Sequence, residues 1–193
     1  IGHVDVDPGV IGTNYPTDAA IVGDARLCLV ALNAELAGIG TRRERVEAAA
    51  RATAKAKDEK FAAFRRLAES LETPIKPERL VADLQAVAPP DAILVADPGT
   101  PCPYFSAYYT QKKPGRQFIS NRAHGALGYA LSAAVGAQFG RPDSKCIAVM
   151  GDGSFGMCVG ELETAVRLRL PITFVVISNA VYGWIKAGQK TGY

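Results

Sequence analysis

The chain has 193 residues, of which 48% are hydrophobic and 21% are charged, and its formal net charge at neutral pH is +3. This composition is typical of a folded globular chain and excludes disorder over the whole length or a collagen-like repeat. The positive charge is too small to indicate a nucleic-acid partner, and no apolar run reaches the roughly 20 residues of a membrane-spanning helix. We therefore predict one domain of about 150 residues plus a remainder, with neither nucleic acid nor a membrane as partner.

The cysteines and the N-terminus indicate the cellular compartment. Cys28, Cys102, Cys146 and Cys158 are too widely spaced to form paired metal ligands or a redox pair. The first five residues lack the basic start and the apolar stretch of a secretory signal. Reduced thiols without an export signal predict a cytoplasmic protein.

Residues 1–40 contain too few elements to bury a core of their own. Alternating apolar and acidic residues from Val4 to Asp7 predict a strand. Apolar residues at helical spacing from Leu27 to Ala34 predict a helix that ends near Gly38. We interpret 1–40 as the C-terminal end of a central domain whose beginning is absent from the sequence.

Residues 41–74 are rich in alanine and in charged residues of both signs. Strong helix formers with interleaved charges predict a solvated helix from Thr41 to Leu71. Pro74 and Pro77 then mark a boundary, because proline cannot continue a helix. We predict that 41–74 is a helical linker between two domains.

Residues 75–193 alternate short apolar runs with helical segments. Three runs predict buried strands: Ala92–Ala96, Cys146–Met150 and Pro171–Ile177. The segments Ala123–Phe139 and Leu162–Leu168 predict helices between them, and the first is rich in small residues. Continuous apolar strands that alternate with helices predict an α/β fold, a parallel sheet with helices on both faces.

Polar residues directly follow two of the predicted strands. Asp152 follows the second strand, and Asn179, 27 residues later, follows the third. Because parallel strands place their carboxyl ends side by side, these two side chains should lie close together at the edge where ligands bind. Carboxylate and amide oxygens suit Mg²⁺ or Ca²⁺, and the N–H groups of Gly153 and Ser154 at a helix start suit phosphate. The sequence therefore predicts a metal-bridged diphosphate site.

This arrangement resembles the signature of the thiamine diphosphate enzymes. The signature is Gly-Asp-Gly with an Asn at the end of the next strand, and here it consists of Gly151-Asp152-Gly153 and Asn179. Other segments resemble the acetolactate synthase and benzoylformate decarboxylase branch of that family: Val4–Pro8, Gly125–Tyr129, Ala133–Ala137 and Arg141–Asp143. The resemblance covers nearly the whole chain and implies that 75–193 is a thiamine diphosphate and Mg²⁺-binding domain, truncated at its C-terminus.

The resemblance also implies a role for each matching residue. Asp152 and Asn179 would bind Mg²⁺ through their side chains, and Val181 would bind it through its backbone carbonyl. Leu127 would support the cofactor in its bent form. The other implied cofactor-binding residues are Gly99, Thr100, Gly125, Ala126, Gly153, Ser154, Tyr182 and Gly183.

The implied reaction is the decarboxylation or carboligation of a small 2-keto acid, as in acetolactate synthase. The family's activating Glu lies on an N-terminal domain of a partner subunit, and no part of this sequence resembles that domain. The resemblance therefore implies a fragment that supplies the diphosphate and metal half of the site and is inactive alone. It implies a homodimer or homotetramer at full length, and it leaves open FAD, ADP or no cofactor in the central domain. His124, beside the cofactor loop, is the one catalytic candidate within the chain.

Two other interpretations stay open at this point. Gly151, Gly153 and Gly156 match the spacing of the phosphate loop of Rossmann-type nucleotide binders, although an Asp inside the turn fits a metal better. The other alternative is a non-catalytic cofactor-binding or regulatory relative that keeps the fold. Loss of Asp152 or Asn179 would favour this second alternative, and both residues are present.

Overall fold

The structure, a computed structural model, describes residues 1–39 and 43–192, which fall into two compact units, Ile1–Asp58 and Glu59–Tyr193. The first unit contains the strands β1 (Gly2–Asp5) and β2 (Ala19–Val22) and the helix α1 (Ala25–Ile39). The two strands pair in parallel. The predicted strand and helix are both present, but β2 is an addition, because its four residues are all exposed and show no alternation.

The strand β1 lies two residues earlier than the alternation predicts. Asp5 Oδ1 accepts a hydrogen bond from the backbone N–H of Asp7 at 2.9 Å, and Asp7 Oδ1 accepts one from Gly9 at 2.8 Å. These two Asx turns bend the chain after Asp5 and end the strand there.

A long helix, α2 (Arg43–Ala68), occupies most of the predicted linker. Its last turns belong to the second unit, where the rings of Phe61 and Phe64 lie 6.1 Å and 4.5 Å from the ring of Tyr108. The structure therefore divides the chain inside this helix, whereas the sequence pattern treats all of 41–74 as a separate linker. Residues 41 and 42, where the pattern starts the helix, lie outside the described residues.

The second unit is built on a parallel sheet of four strands in the order β4-β3-β5-β6. The strands are β3 (Ile93–Ala96), β4 (Phe118–Ile119), β5 (Cys146–Gly151) and β6 (Thr173–Ile177). The predicted α/β fold with a parallel sheet is confirmed. Strand β4 is an addition, because two residues are too few to produce a periodic pattern.

Helices cover both faces of this sheet. They are α3 (Pro77–Val87), α4 (Pro101–Tyr108), α5 (Tyr129–Gly140), α6 (Asp152–Cys158) and α7 (Glu161–Arg167). A further helix, α8 (Gly183–Gly192), follows the loop after β6, and none of its described residues is buried. Leu94 belongs to the core cluster that contains Val81 and Phe105, and the next residue, Val95, belongs to the cluster that contains Leu131. Successive strand residues thus point to opposite, fully packed faces, which explains the continuous apolar runs. No helix within 1–39 or 43–192 is both long and apolar enough to cross a membrane.

Helix α5 begins at Tyr129 and not at Ala123, where the sequence pattern starts it. Gly125 and Gly128 have φ values of 64° and 85°, which lie in the left-handed region and cannot continue a right-handed helix. A Cβ atom on Gly128 would lie 2.6 Å from Cys158 Sγ, so this turn also packs tightly against α6. The segment before α5 is therefore a loop at the carboxyl edge of the sheet.

Candidate cofactor and metal site

The register of β5 and β6 brings the two loops of the predicted metal site together. Gly151 pairs with Ile177, so Asp152 and Ser178 are the first residues after two neighbouring strands. Asp152 Oδ2 accepts a hydrogen bond from the backbone N–H of Ala180 at 2.8 Å and one from Ser178 Oγ at 3.2 Å. The loop that follows β6 is thus attached to the Asp152 carboxylate.

A tight turn positions Asn179 and Val181. Asn179 Oδ1 accepts a hydrogen bond from the backbone N–H of Val181 at 3.2 Å, and Ala180 between them has a φ of 56°. This value is uncommon for a residue with a Cβ atom, and such conformations cluster at functional sites. Asp152, Asn179 and Val181 all line the same cavity.

The surroundings of Asp152 favour its ionised form. Desolvation raises the pKa of this carboxyl, but hydrogen bonds from the backbone of Ala180, Gly153 and Asn179 and from the Ser178 hydroxyl outweigh it. The pKa consequently lies below its ordinary value of 3.8. A carboxylate that is charged at neutral pH is the form that a divalent cation binds.

The cavity has a volume of about 610 Å³ and lies at the carboxyl edge of the sheet. The loops that follow all four strands contribute to it. The predicted residues that line it are Gly99, Thr100, Gly125, Leu127, Asp152, Gly153, Ser154, Asn179, Val181, Tyr182 and Gly183. Two further candidates, Ala126 and His124, lie in the loop before α5 but are not among its lining residues.

Glycines allow side chains to approach the backbone closely inside the cavity. A Cβ atom on Gly153 would lie 2.4 Å from Tyr182 Cε1, and one on Gly183 would lie 3.3 Å from Asn179 Nδ2. A Cβ atom on Gly99 would lie 3.4 Å from Leu127 Cδ2. Any larger residue at Gly153 would therefore displace the Tyr182 ring and fill part of the cavity.

A buried carboxylate that the sequence analysis did not single out connects three of the cavity loops. Asp97, at the end of β3, is fully buried. Its Oδ1 accepts a hydrogen bond from Ser154 Oγ at 2.7 Å, and its Oδ2 accepts one from the backbone N–H of Ala130 at 3.2 Å. Asp97 thus joins the end of β3 to the first turns of α5 and α6. The sequence signal that could have identified this residue is its position directly after the apolar run of β3.

The remaining lining residues were not predicted as site residues, and they include Pro98, Pro103, Arg122 and Ile185. These four lie in loops and at helix ends, where no periodic pattern marks a residue as facing a cavity. Among the described residues that line the cavity, Arg122 and Asp152 are the only charged ones. Arg122 Nη1 donates a hydrogen bond to the carbonyl of Pro98 at 3.5 Å.

The donor set decides what kind of cation fits. The described part of the chain has no cluster of three or more His, Cys, Asp or Glu side chains that could hold a metal ion. The three predicted ligand residues, Asp152, Asn179 and Val181, line the cavity and carry a carboxylate, an amide oxygen and a backbone carbonyl oxygen. Three oxygen donors of this kind leave positions for phosphate oxygens and water, as Mg²⁺ requires.

The cysteines are all free thiols, as expected from their spacing. Cys102 and Cys146 are buried, and desolvation raises the pKa of Cys146 to about 11. This thiol is therefore protonated at neutral pH and acts as a small apolar side chain.

A parallel sheet with a cavity across its carboxyl strand ends is typical of an α/β cofactor-binding domain. Residues 97–193, half of the chain, match the family model of the thiamine pyrophosphate enzymes, specifically their C-terminal TPP-binding domain. The chain therefore belongs to the thiamine diphosphate-dependent enzyme family. This match decides against a Rossmann-type nucleotide binder.

Similar curated proteins include members of the family branch that the motifs indicate. The large subunit of acetolactate synthase isozyme 3 of Escherichia coli is 30% identical, over 99% of this chain and 33% of that protein. Benzoylformate decarboxylase of Pseudomonas aeruginosa is 33% identical, over 95% of this chain and 31% of that protein. The solved thiamine diphosphate-dependent 4-hydroxybenzoylformate decarboxylase of Rhodococcus jostii has a TM-score of 0.58 and 31% identity, covering 64% of this chain and 24% of that one. The chain spans about a third of the length of these curated relatives.

Proposed function

We propose that this chain binds Mg²⁺ and thiamine diphosphate in the cavity at the carboxyl edge of the β4-β3-β5-β6 sheet. We propose further that it is part of an enzyme that decarboxylates a 2-keto acid or transfers its acyl group to an acceptor. The observation that carries this proposal is that Asp152, Asn179 and Val181 line one cavity together with Gly153. The similarity to acetolactate synthase and benzoylformate decarboxylase supports the reaction class.

Each group in the cavity has a defined task in this proposal. The ionised carboxylate of Asp152, the amide oxygen of Asn179 and the carbonyl oxygen of Val181 bind the cation, which in turn holds the diphosphate. Gly153 and Gly183 keep the backbone open where the diphosphate lies. Thiamine diphosphate supplies, when bound, the electron-accepting ring that a 2-keto acid needs to lose its carboxylate.

The cavity has too few acidic groups to complete the reaction. Within the described residues, Asp152 is the only carboxylate that lines it, and the proposal assigns this group to the cation. No second acid is then available to exchange protons with the cofactor ring. We therefore expect the isolated chain to bind the cofactor without turning over a 2-keto acid.

A partner subunit would supply the missing group, so we propose that the full-length protein is a homodimer or homotetramer. The exposed aromatic side chains that line the cavity support this proposal, because Tyr182 is 56% and Trp184 is 62% exposed. Sedimentation of the full-length protein tests it, and a monomer that turns over substrate would contradict it.

The binding step is tested by titration calorimetry of the chain with thiamine diphosphate, with and without Mg²⁺. We expect binding only when Mg²⁺ is present, and a loss of at least about 100-fold in affinity in Asp152→Ala and Asn179→Ala. Asp143→Ala is the matched control, since Asp143 is an exposed carboxylate outside the cavity. Binding that is unaffected by EDTA or by Asp152→Ala would refute the proposal.

A turnover assay separates the enzyme from a non-catalytic relative. The full-length protein should release CO₂ from a 2-keto acid, whereas the isolated chain should not. Full-length protein that binds the cofactor and decarboxylates none of a panel of 2-keto acids would favour the non-catalytic relative. Release of CO₂ by the isolated chain would show that this chain alone supplies every group that the reaction needs, and would contradict the missing acid.

A further inference from the structure

The loop after β4 contributes one cationic side chain, that of the exposed Arg122, to the lining of the cavity. Arg122 Nη1 donates a hydrogen bond to the Pro98 carbonyl at 3.5 Å, which holds the guanidinium near the carboxyl end of β3. No other Arg, Lys or His among the described residues lines the cavity. A lone guanidinium in a cavity of this size indicates that one of its ligands carries a negative charge.

The position of Arg122 separates it from the predicted metal ligands. In the strand order β4-β3-β5-β6, Arg122 follows β4 and contacts the end of β3, whereas Asp152 follows β5 and Asn179 follows β6. Neighbouring strands lie about 4.8 Å apart, so the end of β3 is one strand spacing from the end of β5 and about two from the end of β6. A divalent cation held at the ends of β5 and β6 would neutralise most of the charge of a diphosphate bound to it, so the guanidinium would be available for another anion.

The chemistry of decarboxylation restricts which anion this is. The carboxylate next to the keto group leaves as CO₂, and its charge disperses in the transition state. A strong ion pair to that carboxylate would stabilise the substrate more than the transition state and would slow the reaction. Arg122 is therefore suited to a different anionic group, one that the substrate keeps.

We propose that Arg122 binds a second anionic group at the far end of a 2-keto acid, so that this site selects dianionic substrates. The group is a carboxylate, sulfonate or phosphonate, each of which accepts the paired N–H groups of a guanidinium. This inference rests on the function proposed above and names the substrate class of the same site.

The test compares two substrates of equal chain length in the full-length holoenzyme, 2-oxoglutarate with a distal carboxylate and 2-oxopentanoate without one. We expect kcat/KM to favour 2-oxoglutarate, and Arg122→Gln to lower that preference about 100-fold through the loss of a charge-assisted contact. A second pair, phosphonopyruvate and 2-oxobutanoate, tests a phosphonate on a shorter chain by the corresponding ratio of kcat/KM values. The ratio is the readout because a change in folding or in cofactor affinity affects both substrates alike.

Two further variants make the test specific. Arg122→Lys keeps the charge but loses the paired geometry, so it should retain part of the preference. Arg116→Gln is the matched control, because Arg116 is exposed and does not line the cavity, and it should leave the preference unchanged. Ratios that are equal in the wild type and in Arg122→Gln for both substrate pairs would overturn the proposal.

Calorimetry with thiamine diphosphate and Mg²⁺ distinguishes the remaining outcomes. A loss of roughly tenfold or more in cofactor affinity in Arg122→Gln, with an unchanged substrate ratio, would assign Arg122 to the diphosphate and overturn the inference. A wild type that decarboxylates dianionic and monoanionic substrates equally well would overturn the inference alone. A wild type that binds no cofactor would overturn both the proposed function and the inference that rests on it.

Discussion

Asp152 is kept ionised by hydrogen-bond donors from two loops, the turn that follows β5 and the turn that follows β6. The same contacts fix the position of Ala180, whose left-handed conformation brings Asn179 and Val181 to the cavity. Under the proposed function, both the metal affinity and the geometry of this loop would therefore depend on one side chain.

The lowered pKa of Asp152 has a consequence for pH dependence. Because the folded-state pKa lies below 3.8, protons do not compete with Mg²⁺ near neutrality, and apparent Mg²⁺ affinity should be constant from about pH 8 to pH 6. The contribution of this carboxylate to stability is present above the unfolded-state pKa and is lost as pH falls through the lowered value. Calorimetric titrations of the chain with Mg²⁺ alone at several pH values measure the affinity without the diphosphate, which itself titrates in this range. A loss between pH 8 and pH 6 would contradict this assignment.

A methyl group at Gly153 should separate binding from folding. In Gly153→Ala the new Cβ meets the Tyr182 ring, which is exposed and can move at low cost, so we expect a change in stability within about 1 kcal/mol. Affinity for Mg²⁺ and thiamine diphosphate should fall at least about tenfold, because the methyl and the displaced ring fill the cavity. Gly156→Ala in the same helix is the control, since a Cβ atom there meets no atom within 4 Å. Equal affinities of the two variants would argue against a ligand over Gly153.

At the scale of secondary-structure elements, Asp97 joins the loops that form the cavity. Its two oxygens accept hydrogen bonds from the first turns of α5 and α6, so the ends of three elements share one buried carboxylate. This junction fixes the distance between the loop before α5 and the turn at Asp152. The side chain does not line the cavity, so Asp97 is a positioning residue.

Substitution of Asp97 tests this junction. Asp97→Ala leaves the Ala130 N–H and the Ser154 hydroxyl without their buried partner and should lower the free energy of unfolding by about 2–5 kcal/mol. Asp97→Asn should cost less, because its amide can accept from Ala130 and donate to Ser154 Oγ. Urea denaturation measures both variants, and equal stabilities of Asp97→Ala and the wild type would contradict the role.

The elements differ in how far sequence predicts them, and the reason is physical. The strands β3 and β5 are buried on both faces and the edge strand β6 is partly buried, so the apolar runs of all three are visible in the sequence. The positions of the residues just beyond β5 and β6 follow from the parallel arrangement. The start of α5 is not visible in the sequence, because the pattern of small residues begins before the helix does and includes two glycines. Only the structure shows that these glycines have positive φ values, which exclude them from the helix. Arg122 reaches the cavity from an irregular loop, where spacing carries no information about direction.

At the scale of the whole molecule, the cavity and both core clusters lie within the second unit. That unit includes the end of α2, since Phe64 belongs to one of the core clusters. The boundary between the two compact units therefore falls within α2 and not at Pro74 and Pro77, which follow it.

We expect residues 59–193 expressed alone to fold cooperatively and to keep the cofactor affinity of the whole chain within about threefold, because none of the described residues before Glu59 belongs to a core cluster or lines the cavity. A fragment that starts at Ile75 loses Phe61 and Phe64 and should be less stable, since burial of two aromatic rings is lost. Circular dichroism and calorimetry provide the measurements. Equal stability of the two fragments would show that the end of α2 is dispensable.

The most direct measurement is the anomalous scattering of Mn²⁺ in crystals of the protein grown with thiamine diphosphate. We predict a single strong peak within about 2.4 Å of an Asp152 carboxylate oxygen, Asn179 Oδ1 and the Val181 carbonyl oxygen, with diphosphate oxygens completing the coordination. A peak at another place, or a diphosphate bound with no cation at these three oxygens, would contradict the assignment of this cavity.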